Sequence, residues 1–153
     1  MERVTKLSNE GLQLLKELEG FCAKPYLDGA GVPTIGYGST YYKSGTRVTM
    51  NDVAISQFDA TELLEALLLH YVRTVDCYTR DDIKQNQFDA LVCFAYNVGE
   101  PQFKTSTLIK KVNAYATQDA ITKEFLKWVN VKGKPDAGLK NRRLKEINLY
   151  FKQ

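Results

Sequence analysis

The hydrophobic and polar positions near the start of the chain follow the period of a helix. Three leucines lie at helical spacing between Ser8 and Gly20: Leu12, Leu15 and Leu18. Ser8 has the side chain of a good N-cap, and Gly20 is the residue type that most often follows the last turn of a helix. The pattern therefore predicts a short helix whose last turn contains Glu19.

Turn-forming residues interrupt short β-like runs in the next part of the chain. The segments "KPYL", "DGAG" and "VPTIGYG" are typical of a strand, a turn and a strand, which predicts a hairpin with Asp-Gly at its turn. The segment "STYYKSGTRVT" predicts a third strand with a Ser-Gly turn, and the small sheet is expected to end near Thr49. There "TMNDV" offers the N-cap of a new helix.

The rest of the chain has the wide apolar faces of helices. A long helix is predicted from Ser56 to about Val75, and a capped helix is predicted to end at Gly99. Two further helices, a turn and a basic closing helix follow: "KTSTLIKKVNAYA", "QDAITKEFLKWV", "NVKGKPDAG" and "LKNRRLKEINLYFK". The predicted fold class is α+β and mostly helical, with one small N-terminal sheet.

Length and composition are those of an ordinary soluble globular protein. The 153 residues are 44% hydrophobic and 25% charged, which is enough for one sizeable core or two small lobes. No run approaches the roughly 18–20 apolar residues of a membrane span, and the N-terminal residues lack the apolar stretch of a secretory signal. The three cysteines have no disulfide or zinc pattern, so we expect Cys22, Cys77 and Cys93 to be reduced and buried.

The net charge of +3 hides a difference between the two ends of the chain. Residues 104–153 contain 12 Lys and Arg against 4 Asp and Glu, whereas the preceding residues contain 9 against 14. A basic C-terminal third favours an anionic partner, such as a nucleic acid, an acidic membrane surface or an anionic polymer.

Two carboxylates and a hydroxyl stand out in the predicted helix end and hairpin. Eight residues separate Glu19 from Asp28, and five separate Asp28 from Thr34. On the predicted elements, Glu19 ends the helix and Asp28 lies in the hairpin turn. Thr34 lies on the returning strand, opposite the residues around Tyr26. All three side chains are therefore expected to line one cleft.

This arrangement suits glycoside cleavage, which needs one protonated and one ionised carboxyl group. The negative end of a helix favours the protonated form of Glu19, whereas Asp28 in a hydrated turn should stay ionised. The Thr34 hydroxyl could hold a water beside Asp28, which predicts an inverting mechanism with the carboxyls roughly 6.5–9.5 Å apart. Spacing alone leaves a purely structural hairpin open, because Asp-Gly is a good turn former in any protein.

Longer motifs show a resemblance to a known family. The pattern E-x8-D-x5-T within "EGFCAKPYLDGAGVPTIGYG" resembles the catalytic signature of the phage-type lysozymes, glycoside hydrolase family 24, the T-even and lambdoid phage endolysins. The segments "NQFDALVCFAYNVG" and "FKTSTLIKKVN" resemble the central helices of this family, and "EFLKWV" with "GLKNRR" resembles its closing segment. The likeness runs from about Leu7 to Tyr150 in the right order.

The resemblance implies a lysozyme-like fold and a muramidase activity. The expected architecture is one catalytic domain over residues 1–153. A small lobe at about 12–56 is joined by a linking helix at about 56–76 to a helical lobe at about 77–153, which includes the N-terminal helix. The family hydrolyses the β-1,4 bond between N-acetylmuramic acid and N-acetylglucosamine in bacterial peptidoglycan and so lyses the host cell. No metal or organic cofactor is implied.

The same resemblance implies roles for individual residues. Glu19 matches the general acid, and Asp28 and Thr34 match the residues that position and activate the attacking water. Arg142 matches an arginine that pairs with the catalytic glutamate, and our hypothesis is that it mainly orients that carboxyl. The residues expected to bind substrate are Tyr26, Tyr96, Asn97 and Arg142.

Other residues are expected to have structural roles. Arg143 is predicted to lie on a solvated helix face, Trp128 to pack in the helical lobe, and His70 to have a surface or packing role. Ser39 stands where many relatives have a histidine that bridges to an acidic residue on the long helix. This difference leaves the three catalytic candidates intact but puts that ion pair in doubt.

The resemblance also implies partners and a place of action. The substrate partner is the peptidoglycan glycan strand, and a separate pore-forming protein is expected to release the enzyme. The enzyme is expected to be a monomer, made in the host cytoplasm and acting on the cell wall in the periplasm after membrane permeabilisation. An anionic membrane surface is a further expected partner of the basic C-terminal helix, and nucleic acid is not expected.

Three other functions stay open on the residues alone. A nucleic-acid-binding domain would use the basic helix, although no groove-reading motif occurs elsewhere. A cell-wall or membrane-active basic helical protein would keep the fold without glycosidase activity. A lytic transglycosylase would work with one acidic residue and form an anhydro product, whereas the presence of both Asp28 and Thr34 favours hydrolysis.

Overall fold

The part of the chain that is described forms two compact units. The computed structural model describes residues 2–153. The small unit is Gln13–Leu69, and the large unit consists of residues 2–12 and His70–Gln153. Two helices run from one unit into the other: α1 (Asn9–Glu19) and α2 (Gln57–Tyr78). Within residues 2–153, every helix is too short or too polar to span a membrane.

Both ends of α1 form as the sequence predicts. At the N-terminus, the Gly11 N–H donates to the Ser8 hydroxyl at 3.2 Å, so Ser8 is the cap. At the C-terminus, Gly20 has a φ of +71°, and its N–H donates to the Lys16 carbonyl at 2.9 Å. Glycine reaches a positive φ without steric strain, and this backbone turn ends the helix. Glu19 is therefore the last residue of α1.

One antiparallel hairpin forms the sheet of the small unit, as predicted. Its strands are β1 (Cys22–Leu27) and β2 (Pro33–Gly36). Tyr26 lies opposite Thr34, and the pairing is irregular between Cys22 and Tyr26. The hairpin therefore places two of the predicted site residues on neighbouring strands.

The prediction of a third strand after β2 is wrong. Isolated bridges occur there instead, joining Ile35 to Ser39 and Tyr41 to Arg47. Gly38 has a φ of +96° and Gly45 a φ of +86°, and each of these backbone turns interrupts an extended run. The segment after β2 is therefore a series of turns.

Ser56 caps the long helix α2, and the candidate cap in "TMNDV" is wrong. The Asp59 N–H donates to the Ser56 hydroxyl at 3.0 Å. Thr49 does not cap a helix, because its N–H and its hydroxyl donate to the Asp52 carboxylate at 2.8 and 2.6 Å. These bonds close a turn before the helix. The predicted long helix is confirmed, and it continues to Tyr78.

Within residues 79–153, five helices and a short strand pair complete the large unit. In chain order they are α3 (Gln85–Val98), α4 (Glu100–Thr105), α5 (Thr107–Asn113), α6 (Gln118–Phe125), β3 (Asn130–Val131), β4 (Lys134–Pro135) and α7 (Ala137–Tyr150). The helix predicted to end at Gly99 and the closing helix are confirmed. The segment predicted as one helix from Lys104 is divided, because Ser106 ends α4 and caps α5. The predicted turn before α7 contains the β3–β4 pair.

Helix α3 forms the centre of the large unit. Its residues 88–95 are all buried, and it packs most extensively against α7. Phe94 lies edge-on to Phe125 and Trp128, with ring centroids 5.5 and 5.7 Å away, which confirms the predicted packing of Trp128. The small unit has its own buried apolar side chains, among them Leu15, Ile35, Val48, Ala60, Leu64 and Leu68.

The three cysteines are free, but the prediction that all are buried is wrong. Cys93 is buried on α3, whereas Cys22 and Cys77 are exposed. Cys22 begins β1 and Cys77 lies in the last turn of α2. Burial of these two thiols depends on which face of the element they occupy, and residue type does not determine that face.

Candidate active site

Glu19 is held at the C-terminal end of α1. It is the last helical residue, and it is half-buried. The carbonyl groups of the last turn carry partial negative charge at this end of a helix. The positive φ of Gly20 then turns the chain into β1, so the hairpin follows Glu19 almost immediately.

Asp28 closes the turn between β1 and β2. Its Oδ1 accepts hydrogen bonds from the N–H groups of Ala30 and Val32, both at 2.9 Å. Its own N–H donates to the Val32 carbonyl at 3.0 Å, so backbone and side chain are both held. N–H donors complement a carboxylate and set its direction. Both bonds go to Oδ1, and neither uses Oδ2.

Thr34 places a buried hydroxyl on β2. The residue is 3% exposed, and its Oγ1 donates to the Val32 carbonyl at 2.9 Å. A hydroxyl has one hydrogen to donate and two lone pairs that accept. Because the hydrogen is used by Val32, the Thr34 oxygen acts as an acceptor toward any further partner.

Tyr26 connects these groups electrostatically. Burial raises the pKa of its phenol, and the negative charges of Cys22, Glu19 and Asp28 raise it further. Tyr26 is also paired with Thr34 across the hairpin. The small unit thus contains the three catalytic candidates together with a tyrosine that pairs with one of them and whose pKa responds to the charges of the other two.

Arg142 and Tyr96, like Asn97, are predicted site residues that belong to the large unit. Arg142 on α7 is buried, its Nη2 donates to the Cys93 carbonyl at 3.0 Å, and its Nε is 3.7 Å from Glu146 Oε1. Tyr96 on α3 packs edge-on to Tyr71 with ring centroids 5.3 Å apart. These contacts give each side chain a defined direction.

The prediction that Arg143 lies on a solvated helix face is wrong. Arg143 is fully buried, and it donates a hydrogen bond to Asn97 Oδ1. Its Nη1 is 3.3 Å from Glu146 Oε1, and its guanidinium is 5.1 Å from the ring centroid of Phe94. Burial lowers the pKa of Arg143, and the charge of Glu146 opposes this effect. The i,i+3 spacing of Arg143 and Glu146 is the sequence signal that could reveal the pair.

A cavity of about 390 Å³ opens beside Asn97. Its lining includes Trp128 together with Gln102 and Asn130, two residues that sequence reasoning did not assign to a site. The amide groups can form hydrogen bonds with a polar ligand, and the indole ring can stack on it. Because Arg143 holds Asn97, the amide at the edge of this cavity has a fixed orientation.

Ser39 and His70 are not catalytic candidates, but the sequence predicted roles for both. Ser39 is buried, and its backbone pairs with Ile35 through hydrogen bonds of 2.9 and 3.0 Å. The effect of this serine on a sheet-to-helix ion pair stays a prediction. His70 contacts Glu100 on the surface, which confirms its predicted surface role.

Within residues 2–153, no three His, Cys, Asp or Glu side chains converge in a way that could hold a metal ion.

The family model of the phage lysozymes matches residues 16–146. This match includes most of the chain and all seven predicted site residues. The chain belongs to the phage lysozyme family. The resemblance found in the sequence motifs is therefore confirmed.

Relatives of this phage lysozyme family member agree with the assignment. The endolysin of Bacillus phage B103 is 40% identical over 150 residues, which are 95% of this chain and 54% of that protein. The endolysin of Acyrthosiphon pisum secondary endosymbiont phage 1 is 34% identical over 148 residues, which are 94% of this chain and 97% of that protein. The chain thus spans about half the length of the Bacillus phage relative and nearly all of the second one.

Solved structures of the phage lysozyme family have the same fold. The endolysin from Escherichia coli O157:H7 phage FAHEc1 superposes with a TM-score of 0.90 at 35% identity. The superposition covers 99% of this chain and 97% of that chain. The predicted lysozyme-like fold, mostly helical with a small sheet, is confirmed.

Proposed function

We propose that this member of the phage lysozyme family is an endolysin of the muramidase type. Its reaction is hydrolysis of the β-1,4 bond between N-acetylmuramic acid and N-acetylglucosamine in bacterial peptidoglycan. The observation that carries the proposal is the hairpin of the small unit, which follows Glu19 directly, holds Asp28 in its turn and places Thr34 on the returning strand. The family of the chain supports the same reaction.

Glu19 is assigned the general acid. It stands at the C-terminal end of α1, directly before the hairpin that carries Asp28 and Thr34. In the reaction it donates its proton to the glycosidic oxygen as the bond from that oxygen to the muramic acid C1 breaks. The leaving N-acetylglucosamine then departs with a neutral hydroxyl group.

We assign to Asp28 and Thr34 the roles of positioning and activating the attacking water. The Thr34 oxygen accepts one hydrogen of the water, because its own hydrogen is bonded to the Val32 carbonyl. Asp28 Oδ2 accepts the other hydrogen, because the backbone bonds hold Oδ1. As the water oxygen bonds to C1, Asp28 takes the released proton. Attack from the face opposite the leaving oxygen inverts the configuration at C1.

The substrate-binding assignments are proposals of the same kind. The Tyr26 phenol offers a hydroxyl on the strand opposite Thr34, and the Asn97 amide offers a fixed hydrogen-bonding group beside the 390 Å³ cavity. Tyr96 offers an aromatic face on α3. The orienting role of Arg142 toward the catalytic carboxyl stays a hypothesis.

The experiment that tests the function compares the parent with Glu19→Gln on purified peptidoglycan. We expect Glu19→Gln to lose about 10²–10⁴-fold in clearing rate, which is the range for removal of a general acid. The matched control is Glu10→Gln, because Glu10 is an exposed carboxylate on the same helix. It should keep the parental rate.

Product analysis adds a second readout to the same experiment. Mass spectrometry should find one water added per bond cleaved, and proton NMR of early products should find the inverted anomer. Equal clearing by the parent and Glu19→Gln would contradict the assignment of the acid. Anhydro products would identify a lytic transglycosylase instead.

Finer expectations from the resemblance stay predictions. They include release by a separate pore-forming protein, action in the periplasm after synthesis in the host cytoplasm, a monomeric state, and contact of the basic C-terminal helix with an anionic membrane surface. The exposed side chains of α7 suit such a contact, because they include Lys140 and Lys145, while its carboxylate Glu146 is buried.

A further inference from the structure

A second cavity, of about 610 Å³, lies in the small unit next to the segment that follows Glu19. Its walls come from the later turns of α1, from Gly20 and Phe21, from Tyr37 and from the first turns of α2. The residues described around it include none of the predicted site residues. The volume falls within the range of about 300–1,000 Å³ found for small-molecule sites.

Aromatic rings form two walls of this cavity. The rings of Phe21 and Tyr37 pack with centroids 5.6 Å apart, and the Lys16 ammonium lies 5.5 Å from the Tyr37 centroid. On the side of α2, Phe58 is 71% exposed. A phenyl ring this exposed at the edge of a cavity presents a flat apolar surface to a ligand.

The polar groups of the cavity carry no net charge. One cation and one anion line it, Lys16 and Glu17, together with the amides of Gln13 and Gln57 and the hydroxyl of Thr61. The Gln13 amide donates to the Glu17 carboxylate at 3.5 Å, so a donor and an acceptor stand side by side. With no surplus charge, the lining favours an uncharged ligand that is rich in hydroxyl and amide groups.

We propose that this cavity binds an N-acetylglucosamine unit of a peptidoglycan glycan strand, in addition to the sugars on which Glu19 acts. The proposal rests on the proposed function, because it takes the substrate polymer from it. A hexosamine ring has an apolar C–H face for Phe58 and Phe21, and its edge carries hydroxyl and acetamido groups for the amides and Glu17. N-acetylglucosamine suits the cavity because it is uncharged, whereas muramic acid bears a lactyl carboxyl or a peptide.

A sugar bound in this cavity affects the hydrolysis of polymeric peptidoglycan more than the hydrolysis of short oligosaccharides. When one sugar is held here, binding of another segment of the wall to the same molecule becomes intramolecular, at a high effective concentration. Gly20 borders the cavity and directly follows Glu19, so the second sugar lies against the backbone that carries the general acid. Cleavage of intact sacculi therefore depends on the cavity more strongly than cleavage of a tetrasaccharide.

The test is an NMR titration of isotope-labelled Glu19→Gln protein with the tetramer of β-1,4-linked N-acetylglucosamine. The Glu19→Gln background separates binding from turnover. The amide signals of Phe21 and Thr61 should shift and saturate. Adding Phe58→Ala should weaken this binding about three- to tenfold, as expected for loss of one aromatic contact. Phe58→Tyr, which keeps the ring, should restore it.

The matched control is Val53→Ala in the same background. Val53 is 83% exposed and does not line the cavity, so its truncation should leave the affinity unchanged. Equal affinities of the Phe58→Ala and Val53→Ala proteins would overturn the proposal, and so would shifts confined to residues outside the cavity.

Clearing of peptidoglycan by the parent separates this proposal from the proposed function. If the parent does not hydrolyse peptidoglycan but the tetramer shifts the cavity residues, the proposed function fails and the sugar site stands. If the parent hydrolyses peptidoglycan and the cavity residues do not respond, the sugar site alone fails.

Discussion

Replacing Glu146 with glutamine should strongly destabilise the folded protein, because this carboxylate is buried between two arginines. Glu146 and Arg143 have no exposed surface, and Arg142 is 7% exposed. Glu146 Oε1 is 3.3 Å from Arg143 Nη1 and 3.7 Å from Arg142 Nε. Glutamine keeps the shape of the side chain but removes the negative charge that both guanidinium groups share.

The magnitude follows from the distances and the burial. At 3.3 Å, the gross attraction between two unit charges is about 5 kcal/mol for an effective dielectric constant of about 20. Removing one partner of a buried pair costs about 3–5 kcal/mol, because the other charge stays desolvated. Since 1 kcal/mol shifts the Tm of a chain of this size by about 2–4 °C, the Tm should fall by roughly 6–20 °C.

Urea unfolding followed by circular dichroism measures the free energy of unfolding, and a thermal scan measures the Tm. Asp119→Asn is the matched control, because it also removes a carboxylate from an i,i+4 pair, with Lys123 at 3.0 Å. Those side chains are 79% and 73% exposed, so the control should lose less than about 1 kcal/mol. Equal small losses in Glu146→Gln and Asp119→Asn would show that the buried carboxylate does not stabilise the fold.

The cap of α7, the thiols and one tyrosine allow further tests. Asp136→Ala removes the acceptor of a backbone N–H at 2.8 Å and should lower the free energy of unfolding by about 1 kcal/mol in urea. Ellman's reagent should label the exposed Cys22 and Cys77 in the folded protein, and the buried Cys93 only after unfolding. Burial and a hydrogen bond to a carboxylate raise the pKa of Tyr42 to about 12, so Tyr42→Phe should remove the phenolate absorbance that develops near that pH. The stability that Tyr42 contributes is present below about pH 10 and is lost as the pH rises through 12.

Each of these tests has an outcome that contradicts the structural reason behind it. An unchanged unfolding curve for Asp136→Ala would mean that the cap bond does not stabilise α7. Rapid labelling of all three thiols in the folded protein would mean that α3 is not packed. An ultraviolet titration of Tyr42→Phe that matches the parent near pH 12 would mean that another phenol ionises there.

Local rules predicted well the part of the small unit that carries the catalytic candidates. Glycine adopts a positive φ without strain, and Gly20 does so directly after α1. The position of Glu19 in the last turn of α1 could therefore be derived from neighbouring residues. The Asp-Gly turn set the hairpin, and the hairpin brought Thr34 opposite Tyr26. These outcomes depend on interactions between residues close together in the chain.

The predictions of secondary structure were wrong where a segment could form either of two local structures. Thr49 had the side chain of a helix cap, but it bonds to Asp52 and closes a turn, so Ser56 caps α2, which starts at Gln57. The run after β2 had strand-forming residues, but Gly38 and Gly45 divide it into turns. Propensity alone did not distinguish these alternatives, because a side chain such as that of Thr49 can form local hydrogen bonds either in a turn or at a helix cap.

The sequence by itself determined the family, the helical character and the order of the catalytic candidates, because these depend on residue type and spacing along the chain. Only the tertiary structure decided that Arg143 is buried against Asn97 and Glu146, that Cys22 is exposed, and that Phe58 stands at the edge of a cavity. Burial is a property of packing between segments distant in sequence. A charged or apolar side chain is therefore placed inside or outside only when the other elements have taken their positions.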